Sequence, residues 1–329
     1  MGSSPPLSAE FTAAFLDRAG ATGVLTFAGF MDLALYHPQL GYYRRDRPRV
    51  GYGKGTDFYT ASTSGAVFGE LVTAACVTLL GGETQAREHT FVEIGAETNG
   101  GVLAGVSHPF ASTRTVRVGE PLEITGRCIV FSNELFDAQP LRRFVRRSAD
   151  WVELGVLLRD GTLHELELAP VTAPWLPVEA SEGYVFDAPH AAVELAALLA
   201  AQPWTGLFVA FDYGKSFAEL STATPAGTAR AYFQHTQSND LLARPGEQDL
   251  TGHICWDWLE DSLRAAHFPA TTVESQEAFF IHHAGAYLAQ AMAAEAARTS
   301  QRKLALMQLL HPSNLGQKFQ VLHARREKV

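Results

Sequence analysis

The stretch Thr90-Phe-Val-Glu-Ile-Gly95 constrains this chain more than any other part of it. An almost uninterrupted apolar run enters a turn with glycines at 95, 100 and 101. A strand of this kind is buried on both faces, so helices must cover it above and below, as in a parallel α/β sheet. The pattern recurs along the chain. Thr113–Val118, Cys128–Phe131, Gly206–Tyr213, Thr271–Glu274 and Phe319–Leu322 read as further strands. Helical spacing fills the intervals, notably from Pro189 to about Ala201, from Cys255 to Ala266, around Ala284 and over Leu304–Leu310.

Before the first of these strands the chain reads as helical. One helix is expected over 7–36, with Ser8 as its cap and Glu10 in its first turn. Another is expected over 64–80, stopped by Gly81-Gly82. Between them, Gly41, Gly51, Gly53 and Gly55 mark an ordered loop. Trp151–Leu168 alternates around Asp160-Gly161, a hairpin signal. The expected organisation is a helical region at 1–87 and an α/β domain at 88–329, with cap insertions at 146–183 and 222–252.

Composition narrows the function classes. Hydrophobic residues make up 47% and charged residues 19% of 329 positions, enough apolar content for a sizeable core and too much for a disordered chain. A net charge of −9 argues against phosphate-driven binding to nucleic acid. No apolar run reaches the roughly 18 residues that span a bilayer, and no secretory leader is visible. Three cysteines without C-x-x-C spacing fit a reducing, cytoplasmic-type compartment.

Polar residues gather where the strands end. The turn from Gly95 to Gly101, expected to open a helix, would place backbone N–H groups beneath a ligand. It lacks G-x-G-x-x-G spacing and a Walker lysine, so a nucleotide-type site and a plain βα turn both stay open. Ser132-Asn133-Glu134-Leu135-Phe136-Asp137 follows a strand and suits gripping a polar substrate, or capping a following helix. Asp212 closes another strand, and Asp249 and His253 belong to a polar loop. His253 with Asp249, and the pair His282-His283, read as structural rather than metal-binding, so no metal is expected.

Several of these strings, in order along almost the whole chain, resemble one family. It is that of the mitochondrial complex I assembly protein described as a protein arginine methyltransferase, with its bacterial relatives. The matching blocks are Phe30-Met-Asp-Leu-Ala-Leu-Tyr-His-Pro-Gln-Leu-Gly-Tyr-Tyr43, Gly55-Thr-Asp-Phe-Tyr-Thr60 with Phe68-Gly-Glu70, and Asn133-Glu-Leu-Phe-Asp-Ala-Gln-Pro140. Asp212-Tyr-Gly214, Gly227-Thr-Ala-Arg230 with His235, Pro245–His253 and Leu315–Leu322 follow.

The resemblance implies a Rossmann-like class I methyltransferase sheet, S-adenosylmethionine as cofactor and a protein substrate as partner. It points to Glu93, Gly95, Gly100, Glu120 and Asn133 around the cofactor. Glu134 and Asp137 would be catalytic, gripping a guanidinium, whose donors match carboxylates in bidentate geometry. Asp57, Asp212, Asp249 and His253 would serve substrate or cap. Two features depart from the family pattern. Glu93-Ile-Gly-Ala-Glu-Thr-Asn-Gly100 loses the compact glycine spacing, and only 31 residues separate Gly101 from Asn133. One βα unit is expected to be missing or much shortened there, which leaves Glu120 as the nearest acid for a cofactor ribose. Two other readings stay open: a binding or assembly module with a degraded cofactor pocket, and a methyltransferase acting on a small molecule.

Overall fold

A computed structural model describes residues 7–45, 65–96, 100–296 and 300–327. Ser8 accepts a hydrogen bond from the Phe11 N–H at 3.1 Å and opens α1 (Ala9–Ala19). The single helix expected over 7–36 does not continue. Gly20 and Gly23 adopt φ of 62° and 63°, values open to glycine and costly for other residues, and they turn the chain back. The short strand β1 (Val24–Thr26) follows, and the Thr26 hydroxyl then caps α2 (Phe27–Tyr36) through the Gly29 N–H. After the undescribed stretch come α3 (Ala66–Leu80), stopped at Gly81 with φ 92°, and the single turn α4 (Glu83–Ala86).

The central sheet begins with β2 (Thr90–Ile94), β3 (Ser112–Val116) and β4 (Gly126–Asn133). The chain then leaves for a second sheet. It consists of β5 (Arg142–Arg147), the hairpin β6 (Asp150–Arg159) and β7 (Thr162–Val171), and β8 (Val185–Ala188). Helix α5 (His190–Ala200) leads back to β9 (Trp204–Asp212). Beyond it lie β10 (Gly214–Lys215), α6 (Phe217–Thr222) and the small antiparallel group β11 (Arg230–Phe233), β12 (Thr236–Ser238) and β13 (Asp249–Thr251). The chain continues with β14 (Ile254–Cys255), α7 (Trp256–Ala265), β15 (Thr271–Ser275) and α8 (Gln276–His283). Helices α9 (Gly285–Ala294) and α10 (Gln301–Leu310) precede the last strand, β16 (Gln320–Arg326).

The central sheet has six strands in the order β15-β16-β9-β4-β2-β3. Neighbours from β3 to β9 are parallel, and β16 and β15 each run antiparallel to the strand before them. A full seven-strand class I sheet carries one more strand beyond β3; the short path from Gly101 to Asn133 leaves no chain for it. The expected helix after the Gly95 turn is also absent among described residues 100–111, which form turn and extended chain. Helix α3 covers the exposed sheet face instead. Phe68, Leu71, Val72 and Cys76 pack with Phe91, Ile129, Phe131, Leu207 and Phe211, beside α8, α9 and α10. On the opposite face, Val92, Val130, Phe208 and Ala210 pack against α5 and α7.

The N-terminal helices divide between the two sheets. While α3 joins the central one, β1 pairs antiparallel with β6, and α1 and α2 bury Phe15, Phe30 and Leu33 with Val156 and Leu163 of the second sheet. Among the described residues no helix is long and apolar enough to cross a membrane.

Gly69 sets how closely α3 can approach the loop after β2. A Cβ there would lie 2.2 Å from the Val102 carbonyl oxygen and 2.9 Å from Val106 Cγ2. Gly69→Ala is expected to lower stability by about 1–3 kcal/mol, read as a lower urea midpoint at unchanged slope. An unchanged midpoint would contradict this close packing.

Candidate active site

The carboxyl ends of β2, β4 and β9 meet at one edge of the central sheet, where open α/β sheets bind ligands. A cavity of about 740 Å³ opens there, bounded by the loop after β4, the N-terminal tyrosines and the strands β11–β13. Its size lies within the range of small-molecule sites.

Asp212, the last residue of β9, fixes the loop after β4. It is fully buried, and its Oδ2 accepts the Phe136 N–H at 2.8 Å and the Asp137 N–H at 3.4 Å. Its Oδ1 accepts the Tyr213 N–H at 2.8 Å. Asp212, rather than Asp137, therefore caps this turn, and no helix follows it: the chain passes directly to β5. Burial pushes the Asp212 carboxyl up to about 7, against the opposing pull of these N–H groups.

The anchored loop presents its polar side chains to the cavity. Glu134 sits at φ 53°, a left-handed conformation that costs a non-glycine residue about 1–3 kcal/mol, and its N–H is tied to the Phe211 carbonyl at 2.9 Å. Its Oε1 accepts the Asn133 Nδ2–H at 3.0 Å, while Asn133 Oδ1 is buried without a hydrogen-bond partner. Asp137 is 5% exposed, more enclosed than a cleft acid should be, yet it lines the cavity. Its Oδ1 has no hydrogen-bond partner. Burial, followed by the carboxylates of Asp212, Glu134 and Asp249, pushes its carboxyl well above the ordinary range.

The opposite wall comes from distant sequence. The ring of Tyr36 stacks on that of Tyr43 at 5.5 Å between centroids. The Tyr36 hydroxyl donates to the Ala138 carbonyl at 3.0 Å, and that of Tyr43 donates to Asp249 Oδ1 at 2.9 Å. A second buried aspartate repeats the Asp212 device. Asp187, from β8, accepts the Thr228 and Ala229 N–H groups at 2.5 and 2.8 Å, which places Thr228 and Arg230 on the cavity wall. Arg230 spends its guanidinium on the Gly227 and Ala229 carbonyls. His253 also faces the cavity. Burial, then Lys215 and Arg230, pushes its imidazole down to about 4, so it stays neutral.

Of the residues expected around a cofactor, Gly95 and Asn133 line the cavity, and Glu93, Gly100 and Glu120 do not. Glu93 is buried and accepts the Val102 N–H at 2.7 Å, which holds the loop after β2. Gly100 is exposed. Glu120 is exposed too, its carboxylate turned back on the Arg117 N–H at 2.8 Å. Glu134, Asp137, Asp249 and His253 converge on the cavity, whereas Asp212 lies beneath it and acts by positioning. Asp57 lies outside the described residues. Sequence reasoning assigned no role to Tyr36, Tyr43, Lys215, Arg230 or Tyr232, which all line the cavity. The signal for three of them was at hand, since Tyr36, Tyr43 and Arg230 belong to the family-like blocks.

The Asp212 carboxyl has a pH signature. A raised native value means that the folded chain binds more protons than the unfolded one between about pH 4 and pH 7. The contribution of this group to stability therefore falls as pH rises through that window. Asp212→Asn should flatten that part of the stability–pH curve measured by urea unfolding. A slope equal to that of the wild type would place the ionisation elsewhere.

Comparison with known proteins agrees with the geometry. Residues 113–272 match the family described as "Putative S-adenosyl-L-methionine-dependent methyltransferase". The Danio rerio protein named Protein arginine methyltransferase NDUFAF7, mitochondrial, is 26% identical, over 73% of this chain and 68% of that one. A Burkholderia thailandensis protein solved with S-adenosyl-homocysteine bound is 22% identical. It has the same fold, at a TM-score of 0.84 over 98% of this chain and 95% of that chain. A native structure, also from Burkholderia thailandensis, gives 0.78 at the same identity and coverage. Together, the family match over residues 113–272 and the fold shared along nearly the whole chain support an S-adenosyl-L-methionine-dependent methyltransferase.

Proposed function

We propose that this chain methylates an arginine side chain of a protein substrate, with Glu134 and Asp137 gripping the guanidinium. The observation behind this reading is the unpartnered Asp137 Oδ1, buried at the edge of a cavity that Glu134 and Asp249 also line. Three carboxylates enclosed together are costly to ionise, and a bound cation relieves that cost. A planar guanidinium offers paired donors at carboxylate spacing, and the tyrosine rings beside it suit a cation. The name of the Danio rerio relative supports the same acceptor.

The residues present fit S-adenosylmethionine. Asn133 Oδ1 is a buried acceptor with no hydrogen-bond partner, and Gly95 leaves the backbone bare at the end of β2. A Cβ at Gly95 would sit 2.9 Å from Leu135 Cδ1, at a φ of 79° that side chains avoid. When bound, the cofactor supplies a methyl group on a sulfonium already activated for displacement, so proximity and alignment are the main tasks left to the protein. Glu134 and Asp137 orient the guanidinium and concentrate electron density on its reacting nitrogen. Asp137, held basic by burial and then by its carboxylate neighbours, would take the proton that nitrogen loses as the new N–C bond forms and the methyl–sulfur bond of the sulfonium breaks, its electron pair staying on sulfur.

A second reading, a binding or assembly module, draws on Glu120. An acid that should hold the cofactor ribose is instead exposed and bonded to its own turn. Calorimetry with S-adenosylmethionine separates the two. Micromolar binding, lost at least about tenfold in Gly95→Val, supports the enzyme; no binding in the wild type supports the module.

Methyl transfer to arginine-containing peptides tests the grip. Glu134→Gln should slow transfer roughly 10- to 100-fold while leaving melting temperature and cofactor affinity unchanged, since each 1.4 kcal/mol is about tenfold. The pH profile of kcat/KM should rise through a limb above the usual carboxylate range, because Asp137 must ionise to grip. Asp137→Asn should abolish that limb; a limb retained in the variant assigns it to another group.

A further inference from the structure

On the far edge of the central sheet, three imidazoles converge on one carboxylate. His283 Nε2 lies 2.8 Å and His323 Nε2 3.1 Å from Glu274 Oε1, and His282 Nδ1 lies 2.6 Å from Oε2. The fold brings them together from separate elements. In the antiparallel pair β15/β16, Thr272 stands opposite His323, so Glu274, two residues along, shares its face. Ser275 caps α8 at once after β15, and the last turn of that helix delivers His282 and His283.

The donor atoms of Glu274, His283 and His323 lie within 4.8 Å of one another, and no other such group occurs among the described residues. Their side chains are 14%, 20% and 12% exposed, whereas His282 is 60% exposed and stands on the open side. The Phe279 ring walls the other side, 5.1 Å from the His283 ring and 5.5 Å from that of His323. None of these residues lines the cavity described above.

We propose that Glu274, His283 and His323 form a binding site for a divalent late first-row metal ion of the zinc type. Two imidazoles and one carboxylate are the donor set of an open zinc site, where the metal sits about 2.0–2.2 Å from each donor and keeps a fourth position free. Imidazole donors select zinc, copper or nickel over magnesium and calcium. The exposed His282, bonded to the other Glu274 oxygen, leaves this group open to solvent on its side. The ion ties the end of α8 to the two antiparallel edge strands, so its effect is on the rigidity of that edge and not on methyl transfer.

The test uses the full chain freed of metal by EDTA dialysis and titrated with zinc chloride in a calorimeter. One equivalent should bind and raise the melting temperature. His283→Ala, His323→Ala and Glu274→Gln should each weaken binding at least about tenfold, as loss of even a supporting partner does at metal sites. Glu274→Gln preserves side-chain shape, so it separates loss of a ligand from loss of packing, and circular dichroism checks that the variants are folded. Wild-type protein that takes up no zinc overturns the proposal. So does equal zinc affinity in wild type and all three folded variants.

Discussion

The hydrogen bonds of Asp212 with the turn after β4 hold the site in its shape. β4 and β9 are parallel neighbours whose ends are level, with Asn133 opposite Phe211. A carboxylate at the end of one strand is therefore in reach of the backbone leaving the other. By accepting the Phe136 and Asp137 N–H groups, Asp212 lets the turn stop without a helix and keeps Glu134 in its left-handed conformation. Asp187 does the same for Gly227–Arg230, where a Cβ on Gly227 would lie 2.6 Å from its carboxylate oxygen. Two buried acids, each paired with backbone N–H groups, thus position the two walls of one cavity.

This arrangement leaves the acids of the cavity unequal. Asp212 is saturated by backbone donors, and Asp249 is bonded to the Tyr43 hydroxyl and the Leu250 N–H. Asp137 keeps an oxygen without a hydrogen bond, in a position where burial and then three other carboxylates raise its proton affinity. Of the cations on the cavity wall, Arg230 bonds to backbone carbonyls and Lys215 faces Glu219 at 3.9 Å, while Lys318 also lines the cavity. A cavity built this way favours a cationic guest on electrostatic grounds.

The shortened path between β2 and β4 has a structural counterpart. The chain omits the strand that would extend the sheet beyond β3, and the crossings from β2 to β4 carry no helix among the described residues. An apolar sheet face cannot be left to water, so α3 from the N-terminal region takes the place of a crossover helix. The close approach of Gly69 to Val102 then couples the loop after β2 to a helix that precedes the sheet in sequence.

Local patterning determined the parts whose physics is local. Buried apolar runs marked β2, β4 and β9, and Asp160-Gly161 marked the β6/β7 hairpin, because strand burial and turn conformation depend on a few neighbouring residues. The acidic strings at strand ends lie where the cavity opens, and the short path from Gly101 to Asn133 has its counterpart in the six-stranded sheet. The break at Gly20–Gly23 was not legible, since β1 exists only through its pairing with β6, more than a hundred residues later. Glu120 looked suited to a ribose until its turn claimed the carboxylate. Tyr36 and Tyr43 reach the cavity only because α1 and α2 pack against the second sheet. Likewise, His282-His283 reads as an ordinary helix end, and only strand register brings Glu274 and His323 to it. Sequence alone settled which residues could bury or turn; pairing between distant strands decided which of them meet.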